Sequence, residues 1–122
     1  MNGIDFLVDT NILIYIHEGR PEVEPFIYYS LAIASITEIE LLGYSKITPS
    51  EEKKLIALIN DCSIIELIPE IKELTIKLKK EFKMKTPDAI IAATALHLNV
   101  TIVTADKGFN KIPNLSLIEV QI

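Results

Sequence analysis

Phe6-Leu7-Val8-Asp9-Thr10-Asn11-Ile12-Leu13-Ile14-Tyr15-Ile16-His17 carries the pattern on which the fold is decided. Three apolar residues form a short buried run that stops at an acid. Ile12 to His17 then reads as a helix, closed by Gly19 and Pro21. The same order returns at Leu31-Ala32-Ile33-Ala34, a second apolar run followed by Ser35-Ile36-Thr37-Glu38. The spacing of Ser35 and Glu38 predicts a capping box, with the serine closing the helix start and the glutamate reaching back to it. Ser50-Glu51-Glu52 opens another helix, through about Asp61, and Ile64-Ile65 reads as a short strand. Pro69 to about Lys83 is a long amphipathic helix. Thr86-Pro87-Asp88 opens a further one that runs to Leu98, with threonine as cap and proline at the first helical position. Val100 to Thr104 and Leu115 to Val120 read as the last strands.

Apolar strands alternating with helices specify an α/β fold, a mainly parallel sheet covered on both faces in three layers. Ligands of such sheets bind beyond the carboxyl ends of the strands, near the point where strand order reverses. That directs attention to Asp9, to Ser35 through Glu40, and to Thr104 through Asp106.

The 122 residues suit one domain, residues 1–122, with a substantial core. Apolar residues make up 49% and charged residues 24%, ordinary for a globular protein. A single cysteine, Cys62, excludes an internal disulfide. With no His beside it, Cys62 reads as a small buried hydrophobe. Met1-Asn2-Gly3-Ile4-Asp5 lacks the basic start and apolar run of a signal peptide. No segment approaches the ~20 apolar residues of a membrane span. The expectation is a cytoplasmic protein with no membrane partner.

A net charge of −5 argues against a nucleic-acid partner, since phosphate neutralisation demands basic surface. The distribution qualifies this. Between Lys72 and Lys85 stand six lysines, at 72, 77, 79, 80, 83 and 85, against two glutamates, at 73 and 81. They read either as a solvated helix face or as a patch for an RNA backbone, for which Lys79, Lys80, Lys83 and Lys85 are the candidates.

Asp9 follows the first strand directly, and Asp106 follows Val100 to Thr104 after one residue, so both belong to one edge of a parallel sheet. Glu40 lies in the second turn of the helix after the second strand. Asp88 lies in the first turn of the Thr86 helix, and converges with the others if that helix begins at the same edge. Four carboxylates brought together raise one another's pKa unless a cation relieves them. Oxygen ligands without His or Cys suit Mg²⁺ or Mn²⁺, the setting for attack of an activated water on a phosphodiester. Each acid also has a local reading: Asp9 as helix cap, Asp88 as a dipole-favoured first-turn acid, Asp106 as a turn residue. Glu40 shares a helix face with Ile36 and Gly43 and calls for a polar partner. Glu38, two residues away and about 200° round the helix, cannot serve the same site.

Leu7-Val8-Asp9-Thr10-Asn11, Ser35-Ile36-Thr37-Glu38-Ile39-Glu40-Leu41, Pro87-Asp88-Ala89-Ile90-Ile91-Ala92-Ala93-Thr94-Ala95 and Val103-Thr104-Ala105-Asp106 resemble, in order and spacing, the PIN-domain family. The likeness covers essentially the whole chain and is strongest to VapC-like toxins. It implies a five-stranded parallel sheet with helices on both faces, and Mg²⁺- or Mn²⁺-dependent cleavage of RNA. The family's four acidic positions fall on Asp9, Glu40, Asp88 and Asp106. Its hydroxyl residue before the last acid falls on Thr104, and its polar residue after the first acid on Asn11. The resemblance then implies that Asp9 and Asp106 hold the principal metal, with Glu40 binding it directly or through water. Asp88 completes the set or serves a second metal, while Thr104 and Asn11 orient carboxylates. It further implies an antitoxin partner and a homodimer, for which surplus apolar residues among Ile12, Leu13, Ile14 and Ile16 offer surface.

Other readings remain at this stage. A PIN-like chain that only binds RNA or serves an assembly keeps the same residues. A receiver-type Mg²⁺-binding phosphoacceptor domain wants paired acids after the first strand and an aspartate after a middle one, which Asp9-Thr10-Asn11 and Ile64-Ile65-Glu66-Leu67 do not offer. An aspartate-nucleophile phosphatase wants a second Asp where Asn11 stands. The four glycines form no phosphate loop, which excludes a dinucleotide fold. His17 and His97 lie outside the acidic blocks and read as structural or surface residues. Tyr28-Tyr29 reads as core, interface or base-stacking platform, the first two favoured.

Overall fold

Alternation along the strands builds two cores at once. In the computed structural model, which describes residues 2–122, the central strands are β1 (Phe6–Val8), β2 (Leu31–Ala34) and β4 (Thr101–Thr104). Leu7, Ala32, Ala34 and Ile102 face one side of the sheet, while Val8, Leu31, Ile33 and Val103 face the other. Both sides are covered, which is why these strands read as unbroken apolar runs. β3 (Ser63–Ile65) and β5 (Leu117–Glu119) form the edges. The order is β3-β2-β1-β4-β5 and every pairing is parallel. The expected three-layer α/β architecture is therefore the observed one.

Five helices complete the layers: α1 (Thr10–His17), α2 (Ser35–Leu42), α3 (Pro49–Asn60), α4 (Pro69–Phe82) and α5 (Thr86–Leu98). α1 and α3 pack with Val8, Ile33 and Val103 through Ile12, Leu13, Leu55 and Ile59. α4 and α5 cover the opposite face. There the small residues Ala89, Ala92, Ala93 and Ala95 of α5 meet Ala32 and Ala34 of β2, a pairing of small side chains that lets helix and sheet approach closely. α5 is buried almost all round from Ala89 to Ala95, so its sequence shows no polar stripe.

Several local expectations are corrected. The Ser35–Glu38 capping box does not form: Ala34 is the N-cap of α2 and no side chain bonds its first turn. β2 runs straight into this helix, which puts Ser35 inside it. The capping box stands instead at α3, where Thr48 Oγ1 accepts from Glu51 N–H at 3.1 Å and Glu51 Oε1 accepts from Thr48 N–H at 3.2 Å. α3 thus starts at Pro49, ahead of Ser50. Thr86 is the first residue of α5 and not its cap, which is Lys85; the Thr86 hydroxyl accepts from Lys79 Nζ. The last strand is shorter than expected, Leu117–Glu119. A 3-10 turn over Glu24–Tyr28 precedes β2. Tyr28 and Tyr29 are 79% and 52% exposed, so neither is core. Among the described residues no helix is long and apolar enough to cross a membrane.

Candidate active site

The chain runs from β1 outward to β2 and β3, then returns to lay β4 on the other side of β1. Strand order therefore reverses between β1 and β4, and the crevice at their carboxyl ends is the expected ligand position. Asp9 stands there at the end of β1, only 5% exposed. Its Oδ1 accepts from Ile12 N–H at 2.9 Å, capping α1. Its Oδ2 accepts the hydroxyl of Thr104, the fully buried last residue of β4. The capping and site readings of Asp9 coexist in one carboxylate: one oxygen closes the helix and the other is held from the neighbouring strand.

Thr104 also ties in the next acid. Having given its single proton to Asp9, its oxygen accepts from Asp106 N–H at 2.9 Å. One hydroxyl thereby links the ends of β1 and β4. Asp106 Oδ1 accepts from Gly108 N–H at 2.8 Å and caps a 3-10 turn over Lys107–Lys111. As with Asp9, the turn reading of Asp106 accounts for one oxygen of an exposed carboxylate.

Glu40 of α2 is exposed, and its polar partner is a residue that sequence spacing did not single out. Thr10, the first residue of α1, donates to Glu40 Oε1 at 2.7 Å. Its proton is then committed, so the 3.0 Å contact with Thr37 Oγ1 is a bond donated by Thr37, which is fully buried. Asn11, expected to orient a carboxylate, is exposed on the outer side of α1. The chain Thr37–Thr10–Glu40 stands where Asn11 was sought. The signal was available in part: hydroxyl residues lie next to Asp9 and three positions before Glu40.

Asp88, in the first turn of α5, is half-buried at the same edge, so α5 does begin where convergence requires. Burial pushes its carboxyl above the ordinary range, the charges of Asp106 and Glu40 push it further, and Lys85 and Lys111 oppose the rise. Asp9 is likewise raised, chiefly by burial. The bonds from Thr104 and Ile12 work against this, while the charges of Asp88 and Asp106 add to it. The four acids share one electrostatic neighbourhood.

They do not stand as a closed ligand cage. Among the described residues no three Asp, Glu, His or Cys side chains are grouped tightly enough to hold an ion as placed. Asp9 is buried and fixed by two bonds. Glu40 and Asp106 are exposed and held by one each, from Thr10 and Gly108, and Asp88 is half-buried. The donor set is oxygen only, and a cation would relieve the repulsion that raises Asp9 and Asp88. In kind, the residues fit a hard divalent ion.

One further feature adjoins Glu40. An apolar groove of about 420 Å³ leads away from Thr10 and Glu40, lined by Ile14, Leu41, Tyr44 and Leu55. His17 lines it too, outside the acidic cluster. Cys62 is half-buried, donates to Leu58 O at 3.6 Å, and burial raises its thiol to about 11. That excludes a ready nucleophile.

The PIN-domain family model matches residues 6–115. The chain belongs to the PIN-domain family. A solved toxin–antitoxin complex from Klebsiella pneumoniae contains a chain 31% identical to this one, covering 93% of this chain and 96% of that chain, with a TM-score of 0.81. VapBC2 from Rickettsia felis, solved bound to a DNA fragment from its promoter, is similar at 24% identity, 95% and 98% coverage and a TM-score of 0.83. VapBC from Salmonella typhimurium, solved bound to DNA, follows at 22% identity, 95% and 98% coverage and a TM-score of 0.80. No curated protein matches the chain. This PIN domain is VapC-like in fold over nearly its whole length.

Proposed function

We propose that this PIN domain is a divalent-metal-dependent ribonuclease, the toxin of a toxin–antitoxin pair, with Asp9, Glu40, Asp88 and Asp106 as its metal-binding and catalytic residues. The observation that carries the reading is Asp9: a carboxylate almost fully buried at the switch point of the sheet, with a pKa raised by burial and by two neighbouring acids. A lone buried carboxylate would be expected to neutralise. One kept beside other acids is suited to a cation.

Asp9, Glu40, Asp88 and Asp106 would hold Mg²⁺ or Mn²⁺, which when bound would supply Lewis acidity toward an attacking water and a phosphate. The residues themselves divide the work of positioning. Thr104 fixes Asp9 against the end of β4 and holds the backbone of Asp106 with the same oxygen. Thr10 holds Glu40 from α1 and is itself held by Thr37. Removing such supports typically costs about 10–100-fold in metal affinity or activity. In this reading Asn11 has no part.

The relatives solved as toxin–antitoxin complexes support a protein partner for this chain as well. The groove is mostly apolar and is bordered by Glu40, so it suits an antitoxin segment with an apolar face and a cationic end. A homodimer remains part of the proposal. Of the α1 residues expected to offer surface for it, Ile12 and Leu13 are fully buried in the core, and the exposed Ile27, Tyr28 and Tyr29 offer apolar surface instead.

The test is cleavage of a mixed RNA pool with Mg²⁺, with Mn²⁺ and with EDTA, beside the Asp9→Asn variant. Cleavage that needs metal and disappears in a folded Asp9→Asn protein is the expected result. A fully active Asp9→Asn protein, or cleavage undiminished in EDTA, overturns the assignment. The spread of the acids favours one second reading, an RNA-binding PIN domain without catalysis, which predicts RNA retention with no cleavage in any metal.

A further inference from the structure

An RNA strand approaching this site meets four carboxylates on a chain of net charge −5. Phosphates are repelled there unless cations stand beside the acids. The fold brings such cations from two places far apart in sequence. Lys83 and Lys85 belong to the link between α4 and α5, and Lys111 ends the 3-10 turn that Asp106 caps. With Asp88, Asp106 and Gly108 they line one recess of about 210 Å³.

The lysines stand near the acids without being consumed by them. Lys85 and Lys111 are close enough for their charges to act on Asp88. Among the described residues, however, the one ion pair is Arg20 with Glu22, so no lysine is in ion-pair contact with an acid. Three exposed ammonium groups remain available at the rim of the cleft. Lys83 is further marked by its backbone, whose φ of 54° is a left-handed conformation that a glycine would adopt without strain. Lys79 and Lys80, by contrast, lie back on α4, do not line the recess, and Lys79 is engaged by Thr86.

We infer that Lys83, Lys85 and Lys111 form a phosphate-binding subsite that seats the backbone of an RNA strand beside the acids. The identity of the strand rests on the ribonuclease reading; the subsite itself is defined by the three lysines and the recess. This narrows the lysine run of residues 72 to 85 to its last two members and adds Lys111, which the run does not contain.

The test is binding of a short labelled single-stranded RNA of random sequence to the full chain in EDTA, followed by anisotropy across a salt series. Each lost lysine–phosphate contact flattens the slope of log K against log salt by about 0.7. Lys85→Gln with Lys111→Gln is therefore expected to flatten it by about 1.4. Lys79→Gln with Lys80→Gln is expected to leave it unchanged. Lys83→Gly is expected to weaken binding while raising the melting temperature, because glycine relieves the left-handed backbone. An unchanged slope in the Lys85/Lys111 variant, an equal flattening in the Lys79/Lys80 variant, or no RNA binding by the wild type overturns the subsite, whatever the cleavage assay gives. A flattened slope in a protein that fails to cut RNA with Mn²⁺ supports the subsite and removes the nuclease.

Discussion

The start of α3 and the starts of α1, α2 and α5 treat the same physical problem differently. Every helix begins with backbone N–H groups that lack partners. At α3, away from the acids, Thr48 and Glu51 satisfy them reciprocally. At the carboxyl edge of the sheet the polar residues turn elsewhere. α2 carries Ser35 and Glu38 at capping-box spacing and makes no side-chain cap. α5 begins on Lys85 with none, leaving Asp88 in its first turn among other acids. α1 is capped, but by a carboxylate whose second oxygen is held from β4. α4, which carries none of the four acids, likewise starts without a side-chain cap. What sets the carboxyl edge apart is therefore where its polar side chains are engaged, Asp9 with β4 and Asp88 among other acids.

That contrast can be broken most sharply at Thr104. Thr104→Val removes the hydroxyl linking Asp9 and Asp106, leaving a buried carboxylate oxygen without its donor. RNA cleavage is expected to fall by about 10–100-fold, with a stability loss of about 1–3 kcal/mol in urea unfolding. Thr10→Val is the next step. It frees Glu40 from α1 and leaves the buried Thr37 hydroxyl without its acceptor. Cleavage is expected to fall about 10-fold, with a stability loss of about 1–3 kcal/mol. Thr48→Ala sits on the other side of the comparison, expected to cost about 1 kcal/mol of stability and to leave cleavage kinetics as they are. If Thr48→Ala impaired cleavage as much as Thr10→Val, the distinction between the two groups of helix starts would be lost.

The fold was readable because β1, β2 and β4 are covered on both faces, which writes them as plain apolar runs. α5, buried almost all round and without a polar stripe, was readable as a helix from its Thr86-Pro87-Asp88 start. The Glu24–Tyr28 turn was not, since it mixes proline, charge and exposed aromatics without a period. In the site, the placement of Asp9 and Asp106 at strand ends followed from parallel topology alone. The supports of Glu40 did not. Thr10 and Asn11 are adjacent, and only the rotation of α1 decides that the first meets Glu40 and the second meets solvent. Lys111 escaped notice because a run of charge is visible in sequence, whereas a cluster assembled from α4, α5 and a distant turn is not.

The smallest expected effect concerns pH. Asp88 has a folded pKa raised above its unfolded value, so its contribution favours the fold below the ordinary carboxylate range and is lost as pH rises through the raised folded value. In EDTA, Asp88→Asn is therefore expected to melt higher than the wild type at neutral pH. The gain should shrink as pH falls through Asp88's titration and vanish below it. Thermal melts of both proteins across that range check the sign; an advantage for the wild type at neutral pH contradicts it.

The claim on which the rest depends is that the buried Asp9 and its neighbours form one cation site. Calorimetric titration of Mn²⁺ into the EDTA-treated, dialysed chain and into Asp9→Asn tests it without needing a substrate. Saturable Mn²⁺ binding to the wild type that is lost in a folded Asp9→Asn protein is the expected result. Equal binding by both proteins, or none by the wild type, would contradict it.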